Sequence, residues 1–71
     1  MQVMVKVRFN SSEERFENFG NNRYLLYLPF EHDEDAEMII IASLSKHLGI
    51  PVRRIAFKKY DHYKDMVFDI L

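Results

Sequence analysis

The sequence predicts an α+β two-layer sandwich, with one main helix packed on a mostly antiparallel sheet. Three observations carry this. Apolar and polar residues alternate with period two near both ends of the chain, as they do in half-buried strands. Between them, Asp33 to Pro51 has helical spacing, an acidic start and a Gly-Ile-Pro stop, and it is the one stretch able to form a long helix. Strand-like segments flank it on both sides.

With 71 residues, 48% hydrophobic and 30% charged, the chain reads as a single small domain over 1–71. A domain this short buries roughly 60% of its unfolded surface, so its core is small. It has no cysteine, so neither disulfides nor thiolate metal sites can support it. Met1 leads straight into strand alternation, with no basic region ahead of an apolar core and no apolar run of membrane-spanning length. The expectation is a soluble, cytoplasmic protein with no membrane partner. A formal net charge of -1 gives the whole molecule no pull toward nucleic acid or membrane, so only the distribution of charge could supply one.

Gln2 to Phe9 sets Val3, Val5, Val7 and Phe9 on one side and Gln2, Met4, Lys6 and Arg8 on the other. Asn10 to Asn22 is an arm for which a helical turn after Ser11-Ser12 and a short irregular strand both fit, with Phe16 and Phe19 expected to seal one edge of the core. Gly20-Asn21-Asn22 turns the chain. Arg23 to Leu28 is a strand closed by Pro29, with Tyr24, Leu26 and Leu28 on one face and Leu25 and Tyr27 on the other.

In the helix, Glu31, Asp33, Glu34, Asp35 and Glu37 gather at the N-terminal end, where the macrodipole favours carboxylates, and Asp33 or Asp35 is the N-cap. Ala36, Ile40, Ser43, Leu44, His47 and Leu48 share one face, and Met38, Ile41, Ala42 and Ser45 widen the apolar surface. Gly49 suits a left-handed C-cap. Arg53 to Lys59 then points Ile55 and Phe57 inward and Arg54, Ala56 and Lys58 outward. Tyr60 to Lys64 is a polar turn, and Asp65 to Leu71 is the last strand, with Met66, Phe68 and Ile70 on one face.

The segments VKVRF, the strand ending at Pro29, the helix that starts at Ala36 and ends SKHLGIP, RRIAFKK, the turn with Lys64, and MVFDI together resemble the YggU-like family of small uncharacterised proteins. The resemblance spans about residues 3 to 70. It implies a β(2)-loop-α-β(2) sandwich and no known activity. The chain departs from the family in two loops: Pro29 and Ala36 match the segment before the helix, but its second proline, glycine and asparagine are missing, and Lys64 alone corresponds in the later turn. The stretch Gly49-Ile50-Pro51 also resembles the ubiquitin-like β-grasp, although the chain stops at Asp69-Ile70-Leu71 without a diglycine tail.

Catalysis has little to stand on. Ser43 and Ser45 lie inside the helix rather than on a nucleophile elbow, the two glycines form no phosphate loop, and no cofactor motif is present. The cluster His32 to Asp35 with His62 has metal-ligand chemistry, but helix capping and a solvated acidic end need no metal. His47, near the helix C-terminus, is expected to meet a terminal carbonyl or the dipole. The stronger candidate is the sheet face that the helix leaves open. There Lys6, Arg8, Arg54 and Lys58, joined by Tyr27 and Tyr60, would interleave cations with rings able to hold RNA or single-stranded DNA. A polar, solvated sheet face would use the same residues. The alternative partner is a protein, or a second copy of the chain, docked on apolar helix surface that one sheet cannot cover.

Overall fold

The computed structural model describes Met1–Leu71. Its elements are β1 (Gln2–Arg8), β2 (Arg15–Gly20), β3 (Arg23–Tyr27), α1 (Ala36–Leu48), a 3-10 turn (Val52–Arg54), β4 (Ile55–Tyr60) and β5 (Met66–Ile70). One five-stranded sheet runs β2-β3-β1-β5-β4, and α1 covers one of its faces. The predicted α+β sandwich is the observed architecture. All strand pairs are antiparallel except β1 with β3.

The valine-rich β1 takes the central position, where β-branched side chains pack well on both neighbours. Val5 lies opposite Tyr24 on one side and Met66 on the other, and Val3 opposite Phe68. This register collects the inward residues of β1, β3 and β5 into one apolar layer. Val3, Val5, Leu26, Leu28, Ile40, Leu44 and Phe68 are fully enclosed there between sheet and helix.

The arm resolves into a strand, so three strands precede the helix where the resemblance implied two. Asn21 and Asn22 adopt φ of 52° and 61° and close a two-residue turn between β2 and β3. Asparagine tolerates this left-handed conformation, which matches the twist of a hairpin. A single helical turn at Ser11 to Glu14 would bear its nucleation cost for very few hydrogen bonds, whereas β2 gains a ladder with β3 from Arg15 to Asn18 and again at Gly20. Phe16 seals the core edge as expected, stacked on Tyr24 with ring centroids 5.1 Å apart. Phe19 does not. The ladder slips between Asn18 and Gly20, the Asn18 side chain accepts the Gly20 N–H at 2.7 Å, and Phe19 is left 64% exposed.

Asp35 occupies the N-cap position of α1, but its carboxylate makes no capping bond; Asp33 Oδ1 instead accepts the Asp35 N–H at 2.9 Å. Ala36, Ile40, Ser43 and Leu44 are the buried stripe. Gly49, at φ 69°, ends the helix in the left-handed C-cap with its N–H on the Ser45 carbonyl. Pro51 then starts the 3-10 turn, so β4 begins at Ile55 rather than Arg53. No helix is long and apolar enough to cross a membrane.

Candidate nucleic-acid interface

The face of the sheet opposite α1 is built from the other half of the alternation. The register sets Met4 beside Arg23, Lys6 beside Leu25 and Arg8 beside Tyr27, with Arg15 on the far side of Tyr27. On the other flank Val67 lies between Met4 and Lys59. Leu25 and Val67 are buried although neither belongs to the core beneath the helix. Their register neighbours are long side chains whose aliphatic stems cover them while the charged ends reach water.

The β4–β5 turn delivers the remaining groups. Asp61 accepts the N–H groups of Tyr63 at 2.8 Å and Asp65 at 3.0 Å through its carboxylate, and its carbonyl accepts that of Lys64 at 3.0 Å. Lys64 is held at φ 66°, a left-handed conformation that a lysine adopts only when its surroundings impose it. The turn brings Tyr63, Lys64 and Asp65 to the edge of β1. Two hollows lie there side by side. One, of about 340 Å³, is lined by Met4, Lys6, Phe19, Arg23, Tyr24 and Asp65. The other, of about 220 Å³, is lined by Lys6, Val7, Arg8, Tyr63, Lys64 and Asp65. They share Lys6 and Asp65 and form one groove with an exposed ring, Phe19 or Tyr63, in each half.

The surface is not continuously basic. Lys6 Nζ stands 4.0 Å from Asp65, Lys58 Nζ 4.0 Å from Asp69, and Arg15 pairs with Glu17 at 2.9 Å. Arg8, Arg23, Lys59 and Lys64 have no carboxylate within ion-pair distance.

Of the residues expected on this face, Lys6, Arg8 and Tyr27 lie together on β1 and β3, whereas Lys58 is held apart beside Asp69, which the register places opposite Gln2 and Ala56. The Tyr27 ring is already engaged by the Arg15 guanidinium, 5.5 Å from its centroid. Arg54 is not part of the group: it lies in the 3-10 turn, where its Nε donates to the Leu71 carbonyl. Tyr60 is on the opposite side. A bulge between Phe57 and Lys59 shifts the alternation by one residue, so Tyr60 pairs with Met66 and lines a cleft of about 210 Å³ with His32, Asp33, Glu34 and Glu37 at the start of α1. Arg23 was legible from the alternation that puts Tyr24 and Leu26 inward. Lys59 and Phe19 were not, because each owes its position to a bulge.

The His62 ring lies against that of Tyr63, with centroids 4.2 Å apart, while His47 is occupied elsewhere. The His47 ring stacks on Phe16 at 4.5 Å, 3° from parallel, and its Nε2 lies 3.2 Å from Glu14, whose same oxygen accepts the Ser43 hydroxyl at 3.4 Å. Its side-chain partners are therefore an aromatic and a carboxylate, not a terminal carbonyl, while its place in the last turn of α1 keeps it at the dipole's negative end. With the carboxylate between hydroxyl and imidazole, no nucleophile–base pair is formed. No three histidine, aspartate or glutamate side chains converge on a point able to hold a metal ion. No family model matches the chain, and no solved structure matches it.

Proposed function

We propose that this domain is a non-enzymatic binding module that holds single-stranded nucleic acid along the groove on its open sheet face. One observation carries the reading: Lys6, Arg8, Arg23 and Lys64, from two strands and a turn, meet in a groove that also offers the rings of Phe19 and Tyr63. Cations attract a phosphate backbone, and exposed rings stack on unpaired bases without regard to sequence. The pairing of Lys6 with Asp65 limits the attraction and directs it toward Arg8, Arg23 and Lys64.

The test is a fluorescence titration with single-stranded RNA or DNA. Three phosphate contacts on a single strand, from Arg8, Arg23 and Lys64, give a slope of log K against log salt of about -2, a loss of roughly twentyfold between 50 and 200 mM salt. The double variant R8A/R23A weakens binding by about tenfold or more while leaving the melting curve in place. An oligomer that shows no binding at low salt, or binding indifferent to salt, overturns the proposal.

Membership in the YggU-like family, as a divergent branch, belongs to the same proposal and rests on the segments quoted above. So does a cytoplasmic setting, since a cysteine-free domain needs no oxidising compartment. The second reading is a protein-interaction or self-associating module. It is favoured by Met38 and Ala42, which stand exposed on the outer side of α1 beside half-buried Ile41 and Ser45. A chain that sediments as a dimer at micromolar concentration, and as a monomer once Met38 is changed to glutamate, would support that reading.

A further inference from the structure

Asp65 is the odd residue in the groove. A carboxylate in a phosphate-binding surface repels its ligand, yet this one lines both hollows and its side chain is only 14% exposed. No hydrogen-bond donor reaches its carboxylate; the nearest partner is Lys6 Nζ, at 4.0 Å, too far for a hydrogen bond. Its backbone is fixed, the N–H on Asp61 Oδ1 and the carbonyl accepting the Asp61 N–H at 2.9 Å. The site thus holds a positioned, partly desolvated acceptor with unused lone pairs, beside a cationic donor and within the same hollow as the Phe19 ring.

Resting on the nucleic-acid reading above, we propose that this half of the groove is a guanine-selective base subsite, with Asp65 as its specificity-determining residue. An ionised carboxylate only accepts. Of the four RNA bases, guanine alone presents two adjacent donors, N1–H and the N2 amino group, to both oxygens of one carboxylate. Its neighbouring O6 is an acceptor, matched to the ammonium of Lys6. Cytosine and adenine each offer an amino group beside an acceptor ring nitrogen, which faces the carboxylate with like charge. Uracil offers a single N–H between two carbonyls. Phe19 supplies the stacking surface and Met4 an apolar wall, while Arg23 is placed to meet the phosphate.

The experiment compares a short labelled oligouridine with the same oligomer carrying one central guanosine, or one central inosine, which keeps N1–H and O6 but lacks the N2 amino group. The guanosine oligomer binds at least about tenfold tighter than oligouridine, as a bidentate contact provides, and inosine falls between them. In Asp65→Asn, whose amide conserves shape but no longer presents two acceptors, the preference drops to within twofold. Equal binding of all three oligomers by the wild-type protein overturns the subsite and leaves the nucleic-acid reading standing. So does a guanosine preference undiminished in Asp65→Asn. Failure of all three to bind removes the underlying reading as well.

Discussion

The two faces of this sheet bury side chains by different means, and the contrast separates what stabilises the domain from what it can offer a ligand. Val3 and Val67 sit on adjacent strands, are the same residue type, and are 0% and 3% exposed. Val3 is enclosed by Phe68 and the helix, elements whose positions are held by the whole fold. Val67 is enclosed by the neighbouring side chains of Met4 and Lys59, which can move without disturbing any backbone. Equal burial therefore does not mean equal cost of removal. The covered face acts as a rigid core, and the open face as a deformable lid of long side chains over an apolar floor.

The largest expected effect is on the covered side. Val3→Ala leaves a cavity that sheet and helix cannot collapse, and should cost about 2.5 kcal/mol in denaturant unfolding, a substantial share of the stability of a domain this size. Val67→Ala should cost about 1 kcal/mol, because the stems above it settle into the vacated space. Equal losses would break the distinction between the faces. At the margin of the covered face, His47→Ala removes the stack on Phe16 and the contact with Glu14, and should cost about 1 kcal/mol by the same measurement. A change indistinguishable from zero would mean that Phe16 seals this edge without the ring above it. The smallest effect belongs to the open face. A double-mutant cycle on Lys6 and Asp65 should give a coupling below about 0.5 kcal/mol, since the pair is long and the lysine half exposed. A larger coupling would make the pair part of the scaffold rather than part of a groove available to a ligand.

Where local pattern and tertiary structure agree, the reason is that one strand face or one helix stripe decides the matter. Val3, Val5 and Val7 alternate and were read inward; Ala36, Ile40 and Leu44 recur at helical spacing and are buried. Lys6, Arg8 and Tyr27 follow from the same parity. Tyr60 shows how parity fails. One bulge between Phe57 and Lys59 reverses the side of every later residue in β4, and nothing in the text KKY marks it. Phe19 was displaced from the core edge in the same way. His47 was placed near the right end of the right helix, but its partner, Glu14, lies 33 residues away in sequence. No local signal could have joined them.

Alternation, helical spacing and the stop at Gly49 by themselves determined the class of the fold, the end of its helix and most of the division between inward and outward residues. These are short-range properties: a period and a cap depend on neighbours within a turn or a pleat. Only the tertiary structure decided that the arm is a fifth strand, that β3 lies parallel beside β1, and that an edge bulge and the Asp61-organised turn bring Phe19, Arg23, Lys6 and Asp65 around one hollow. Those are matters of register and closure between distant segments, and they are settled by which strands find partners rather than by what any one strand prefers.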